Sequence, residues 1–268
     1  MFAERFGECA AALAPFVEWV PVDVLRGCEG APSLDRVDVV QPMLWAVMVS
    51  LAEVWRVSGV RPAAVVGHSQ GELAAAVVAG VLSVEDGARI VALRSGLIGR
   101  ELAGQGGMVS VAVGEGAAVE LIGPWVGRID VATVNGPRST VVAGEAAALD
   151  ELMVVCERDG VRARRIPVDY GSHTVQVEQL REALLELAAP VVSRAGDVPM
   201  YSTVTGRVLE VGAAGAEYWF RNLRQPVRFE ETVRGLIADG HTMFVEVSPH
   251  PVLTSPVEET GEAMGVEV

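Results

Sequence analysis

The sequence predicts an α/β fold in which a core of mainly parallel strands is interrupted by a small α+β subdomain. Short, continuously apolar segments alternate with helical segments, as in sheets that are covered on both faces. The chain has 268 residues, which is enough for one such unit with a subdomain. Half of the residues are hydrophobic and only 21% are charged, so a large core can form.

Composition also limits the functional classes. The net charge of −14 argues against binding to nucleic acids or anionic membranes, since both require basic surfaces. Cys9, Cys28 and Cys156 show neither metal-ligand spacing nor a disulfide framework, which is typical of a reducing compartment. The first residues carry no basic flank before an apolar run, so we predict no signal peptide. We expect a cytoplasmic protein without nucleic-acid or membrane partners.

The first predicted elements are helices. Residues 3–15 have helical spacing of apolar side chains. Pro42 is expected in the first turn of a second helix, which runs to about Val57. Glu53 and Arg56 interrupt its apolar run, which is too short to span a bilayer, so we predict a buried core helix.

A strand, a turn and two helices follow. The segment RPAAVVG, residues 61–67, predicts a fully buried strand, and a helix is expected over residues 71–79. Ser83 and Glu85 resemble the cap and first-turn acid of a further helix.

The pattern then changes to β-α-β-β-α-β, the order of a ferredoxin-like subdomain. We place this small subdomain at residues 107–171, with residues 1–106 and 172–268 forming the large one. The second part of the large subdomain has four predicted elements: a helix at 176–188, a strand around PMYSTV, a helix near 228–239 and a strand FVEVSP.

Ser69 lies in GHSQG, which fits the G-x-S-x-G nucleophile elbow. A sharp turn exposes the hydroxyl at the end of a strand, and the following helix directs N–H groups and its positive dipole end at an oxyanion. A plain glycine-rich turn is the alternative. The predicted strand before Ser69 and the helix after it favour the nucleophile.

A nucleophilic serine needs a base, and the chain has four histidines. His68 adjoins Ser69, and side chains at such an elbow diverge, so we expect it to line the pocket. His241 and His250 lie in predicted loops. His173 lies where the small subdomain returns to the core, and clefts form at such junctions. His173 is therefore the preferred base.

Several motifs together are more specific than the elbow alone. They are RVDVVQP, VVGHSQGELAAAVVAGVLS, VALRS, VDYGSH, YWFRNLRQPVRF and FVEVSPHPVL. In this order the chain resembles the acyltransferase domain of a modular type I polyketide synthase along nearly its whole length. The resemblance implies an α/β-hydrolase-like core with a ferredoxin-like subdomain.

The resemblance also implies roles for individual residues. Ser69 would attack the thioester of an acyl-CoA, with His173 as general base and the backbone carbonyl of Gln225 orienting it. The backbone N–H of Gln70 would contribute to the oxyanion hole. Arg94 would bind the free carboxylate of a malonyl-type unit, to which a planar guanidinium is suited. From the pattern alone, Arg94 is a solvated helix residue.

The resemblance further implies the acyl group and the partners. Gln41, Gln70 and the Tyr170–His173 segment resemble the methylmalonyl-selective pattern, and Gly171 replaces the usual alanine, which would leave room for a larger extender. No bound cofactor is implied. The substrate would be methylmalonyl-CoA, and the acceptor the phosphopantetheine thiol of an acyl carrier protein, beside a ketosynthase and other domains of one megasynthase.

Two alternatives remain open. A serine hydrolase or thioesterase would need a third acid, from Asp130, Asp150 or Asp169. An inactive fragment is the other, because family members begin with a strand and a Gly-Gln-Gly-Ser-Gln loop that this sequence does not show. On that basis we expect the chain alone to be poorly active or poorly folded. The arginines of VRARR, residues 161–165, would contact a carrier protein or CoA phosphates, or simply decorate an exposed strand edge.

Overall fold

The structure is a computed structural model that describes residues 1–268, and it contains two sheets surrounded by helices. The strands are β1 (Val65–Val66), β2 (Gly107–Val111), β3 (Ile129–Gly136), β4 (Ser139–Gly144), β5 (Ala163–Ile166), β6 (Met200–Ser202), β7 (Arg207–Val208) and β8 (Val227–Arg228). The helices are α1 (Phe2–Leu13), α2 (Pro21–Arg26), α3 (Val37–Val57), α4 (Gly71–Val78), α5 (Val84–Glu101), α6 (Glu115–Ile122), α7 (Ala146–Arg158), α8 (Arg181–Ala188), α9 (Ala216–Arg224), α10 (Phe229–Ala238) and α11 (Thr254–Met264), with 3-10 turns at Gly123–Trp125 and Val175–Leu180.

The large part of the chain is built on helix α3. Trp45 of α3, Leu73 of α4 and Ile90 of α5 are fully buried in one apolar cluster, to which α1 contributes Leu13. By length and composition alone α3 could cross a membrane, but here it packs among the other helices of this cluster. It begins five residues before Pro42, so the prediction that this proline lies in the first turn is wrong. The ring removes one N–H donor from the helix interior.

The sheet of the large part is small, with the order β1-β6-β7. Strand β1 pairs in parallel with β6, and β6 pairs antiparallel with β7. The predicted strand FVEVSP is absent, and residues 244–249 pair with no strand of either sheet. Instead the carboxylate of Glu246 accepts hydrogen bonds from the N–H groups of Val252, Leu253 and Thr254, at the start of α11.

The second sheet has the order β5-β2-β4-β3-β8. Its first four strands come from the β-α-β-β-α-β segment, with α6 and α7 against one face through an apolar cluster that includes Val109, Val142 and Leu149. Strand β8 comes from the later part of the chain and pairs in parallel with β3, which the sequence did not indicate. Strand β8 begins two residues after Gln225, so this pairing ties the segment that carries Gln225 to the second sheet.

Candidate active site

Ser69 occupies the turn between β1 and α4 in a left-handed backbone conformation, with φ of +52°. A non-glycine residue rarely adopts this conformation, and here it presents the hydroxyl at the sharp turn. A Cβ atom on Gly67 would lie 2.3 Å from the backbone nitrogen of Glu72, so only glycine fits there. A Cβ atom on Gly71 would meet nothing within 4 Å. Of the two glycines in GHSQG, only Gly67 must therefore lack a side chain to avoid a clash with the backbone of α4.

His173 is the histidine that reaches Ser69. Its Nε2 lies 2.9 Å from Ser69 Oγ, and its Nδ1 lies 2.7 Å from the carbonyl oxygen of Gln225. Because a carbonyl oxygen only accepts, Nδ1 carries the hydrogen and Nε2 is left with a lone pair for the serine hydroxyl. The backbone N–H of His173 also donates to the carbonyl of Leu223. Two backbone carbonyls at the end of α9 therefore fix the position of His173.

Burial sets the protonation state of His173. The side chain is almost fully buried, and this desolvation lowers its pKa to about 3, although the hydrogen bond to Gln225 raises it. The imidazole is therefore neutral near pH 7, as a general base must be.

None of the acids considered for a hydrolase triad contacts His173. Asp130 accepts from the backbone N–H of Val175, Asp169 accepts from that of Gly104, and Asp150 pairs with Arg165. The position that a triad aspartate would take is filled by the Gln225 carbonyl.

Gln70 supplies an unused backbone donor beside Ser69. It is the N-cap residue of α4, and its N–H donates to no acceptor of the chain, whereas the next three N–H groups bond to residues 68–70. The geometry of a helix N-terminus and a free N–H suits an oxyanion.

Arg94 is buried to 1% exposure on α5. Its Nη1 donates to Oδ1 of Asn222 at 2.8 Å, while its Nε is buried and has no partner. Burial lowers the pKa of Arg94 to about 10, so it remains a cation at neutral pH. The prediction from pattern alone, a solvated helix residue, is wrong.

Sequence reasoning missed two residues of this site, Asn222 and Glu72. The amide of Asn222 donates to the backbone oxygen of Ser69 at 3.2 Å and to Oε2 of Glu72 at 2.8 Å. Glu72 is fully buried and burial raises its pKa to about 6. A carboxylate within the apolar run GELAAAVV was the available signal, because such a residue is almost never buried without partners.

Tyr170 and Gln41 meet across the molecule, with Gln41 Nε2 donating to the tyrosine hydroxyl at 3.1 Å. The charge of Arg94 acts on this hydroxyl. Ser172 is also buried. A Cβ on Gly171 would lie 2.9 Å from Oε1 of Gln176, among atoms outside the site. The missing methyl group therefore does not face Ser69, contrary to the expectation that Gly171 enlarges the acyl pocket.

The other histidines have separate surroundings. His68 is partly buried, its Nε2 donates to Oδ1 of Asn135 at 2.7 Å, and its ring lies edge-on to Phe229. Burial lowers its pKa. The ring of His241 lies edge-on to Tyr201, and His250 is exposed in the loop before α11.

The elbow serine, its histidine and the free N–H beside them form a site for nucleophilic acyl chemistry. The family described as "Acyl transferase domain" matches residues 1–268, and the chain belongs to this family and is an acyltransferase.

Individual relatives agree with this assignment. Spectinabilin polyketide synthase system protein NorA' from Streptomyces orinoci is 58% identical over 260 residues, covering 97% of this chain and 7% of that protein. The acyltransferase domain from module 8 of the salinomycin polyketide synthase is 59% identical with a TM-score of 0.97, covering 99% of this chain and 62% of that one. Malonyl-CoA:acyl carrier protein transacylase from Xanthomonas oryzae pv. oryzae is 29% identical with a TM-score of 0.86, covering 99% of this chain and 84% of that one. The chain thus spans a small part of the curated relative.

Proposed function

We propose that this chain transfers an extender acyl group from coenzyme A to Ser69 and then to the phosphopantetheine thiol of an acyl carrier protein. The observation that carries the proposal is the Ser69–His173–Gln225 chain of hydrogen bonds beside the buried cation Arg94. The polyketide synthase relatives support the same context.

Each half-reaction uses the same groups. Oγ of Ser69 attacks the thioester carbonyl carbon while its proton moves to Nε2 of His173. The N–H of Gln70 donates to the developing oxyanion. The carbon–sulfur bond then breaks, and His173 returns the proton to the departing thiol. The carrier thiol reverses these steps and restores the free serine.

We assign the acyl group to the malonyl class, and within it to methylmalonyl. Arg94 presents an unpartnered Nε, and a carboxylate is the ligand that best fits a guanidinium edge. The methylmalonyl preference rests on the likeness of Gln41, Gln70, Tyr170 and Ser172 to the selective pattern. One methylene of pocket space gives only about 10- to 200-fold discrimination, so a low level of loading with other extenders is expected.

The proposal includes the architecture and surroundings of the chain. We describe residues 1–106 and 172–268 as an α/β-hydrolase-like subdomain and residues 107–171 as a ferredoxin-like one. The partners are the carrier protein and neighbouring synthase domains, in the cytoplasm, with no bound cofactor.

Arg162 and Arg164 are exposed without an acid at ion-pair distance, whereas Arg165 pairs with Asp150. The first two are available for an acidic carrier protein.

The test is intact-mass analysis of the polypeptide that contains residues 1–268 after mixing with methylmalonyl-CoA or propionyl-CoA. We expect a methylmalonyl adduct on Ser69 that a carrier protein discharges, and no adduct in Ser69→Ala. Arg94→Ala should lower methylmalonyl loading about 10- to 100-fold, because a charge-assisted hydrogen bond is lost, and propionyl loading much less. Rapid release of free acid would instead indicate a hydrolase, and equal losses for both substrates would refute the role of Arg94.

A further inference from the structure

Arg94 and Glu72 are buried groups of opposite charge that do not contact each other directly. The side chain of Asn222 lies between them, accepting from Arg94 Nη1 at 2.8 Å and donating to Glu72 Oε2 at 2.8 Å. An arginine and a carboxylate left together in the interior normally form a bidentate pair, which uses two guanidinium donors at once. Here one donor is used by a neutral amide, and Nε stays unpartnered.

The orientation of the Asn222 amide follows from its neighbours. The guanidinium of Arg94 only donates, so it must meet Oδ1. The carboxylate of Glu72 and the backbone oxygen of Ser69 accept, so both must meet Nδ2. All three contacts are satisfied only in this orientation, and an aspartate at position 222 could satisfy only the first.

Glu72 is held away from Arg94 by donors on both of its oxygens. Oε1 accepts from the backbone N–H of Thr203, and Oε2 accepts from the hydroxyl of Tyr218 as well as from Asn222. The carboxylate is therefore satisfied without the guanidinium, although it lies close enough for its charge to act on Arg94.

Asn222 also connects the cation to the nucleophile. Its Nδ2 also donates to the carbonyl of Ser69, whose backbone is left-handed. One amide thus contacts both the group that would bind a carboxylate and the residue that would hold the acyl group. The side chain of Asn222 therefore helps to set the distance between Arg94, which would bind the substrate carboxylate, and Ser69, which would bind the acyl carbon.

We propose that Asn222 is a positioning residue that keeps Arg94 apart from Glu72, so that the guanidinium remains available to the carboxylate of the acyl group. This inference rests on the proposed function. It assigns to Asn222 the preference for dicarboxylic over monocarboxylic acyl groups, in addition to its support of the elbow.

The test compares kcat and KM for methylmalonyl-CoA and propionyl-CoA in the intact polypeptide that contains this chain. In Asn222→Ala, Arg94 can approach Glu72, and we expect the preference for methylmalonyl-CoA to fall about tenfold or more, mainly through KM. In Asn222→Asp the new carboxylate pairs directly with Arg94, and the preference should fall at least as far. Asn222→Ser replaces Asn222→Ala if the latter does not fold.

Tyr218→Phe is the matched control, since it removes one donor to Glu72 while Thr203 still donates to Oε1 and Asn222 to Oε2, and since the Tyr218 hydroxyl bonds to neither Arg94 nor Ser69. We expect a lower Tm and an unchanged substrate preference. Equal losses for both substrates in the Asn222 variants, or the same loss of preference in Tyr218→Phe, would overturn the inference. The proposed function fails separately, if the unmodified protein loads methylmalonyl and propionyl groups equally well, or if Arg94→Ala lowers the loading of both by the same factor.

Discussion

At the scale of single residues, the two glycines that flank the elbow have different physical roles. Gly67 faces the backbone of Glu72, where a Cβ atom would overlap at 2.3 Å, and Gly71 faces open space at the start of α4. A substitution at the first site must move backbone, whereas a substitution at the second reduces only the freedom of the unfolded chain.

We therefore expect opposite effects from Gly67→Ala and Gly71→Ala. The first should exceed the usual overpacking cost of about 1–3 kcal/mol and abolish Ser69 acylation, because the turn cannot form. The second should leave Tm unchanged or raise stability by about 0.4–1 kcal/mol. Thermal unfolding of both variants measures the difference. Similar losses in the two would show that the elbow tolerates no side chain on either side.

The sequence identified the residues that carry recognisable chemistry, and it missed those defined by packing. Ser69, His173 and the Gln225 carbonyl are placed together as predicted, because short motifs mark them. Asn222 lies 153 positions from Ser69, and no spacing rule links the two. The orientation of Gly171 was also beyond the sequence, since it depends on where Gln176 lies.

At the scale of elements, helix α5 shows how local signals position a site residue. Ser83 caps the helix by accepting from the N–H of Asp86 at 3.0 Å, as predicted, and Arg94 lies three turns further along. Strand FVEVSP shows the opposite case. Its apolar residues are strand-like, but it pairs with no strand, and its Glu246 instead accepts hydrogen bonds from the backbone at the start of α11.

Loss of the Ser83 cap should weaken the helix without altering the chemistry. We expect Ser83→Ala to lower the free energy of unfolding by about 1 kcal/mol, the typical value of an N-cap side chain. Ser83→Thr keeps a hydroxyl acceptor and should recover most of this loss. Urea unfolding of the three proteins measures it. A change in the methylmalonyl to propionyl ratio for Ser83→Ala would contradict the view that the cap acts on stability alone.

At the scale of the whole molecule, His173 links the active site to global stability. It follows β5 of the five-stranded sheet along the chain, and its backbone N–H donates to the carbonyl of Leu223 near the end of α9. Folding keeps this imidazole neutral, whereas the unfolded chain binds a proton below pH 6.5. Stability from His173 is thus present above pH 6.5 and is lost as the pH falls towards 3.

Glu72 has the opposite effect on the pH dependence of stability, over a narrower pH range. Its pKa is raised by burial to about 6, so the folded state takes up a proton before the unfolded chain does. The stability that it contributes is present below its ordinary pKa of 4.5 and is lost as the pH rises through 6. A measured pH dependence is the sum of both groups and the exposed acids, so a variant is needed to isolate the histidine.

Comparing the unmodified protein with His173→Gln isolates the contribution of His173 to the pH dependence of stability. Between pH 7 and pH 5 the histidine alone should cost the unmodified protein about 2 kcal/mol of unfolding free energy, because only the unfolded state binds the proton. His173→Gln has no imidazole to protonate. Between pH 7 and pH 5 its free energy of unfolding should therefore rise by about 2 kcal/mol relative to that of the unmodified protein. Urea unfolding at pH 7, 6 and 5 measures the shift. Parallel pH dependences would show that His173 titrates alike in both states, and that burial does not hold its imidazole neutral.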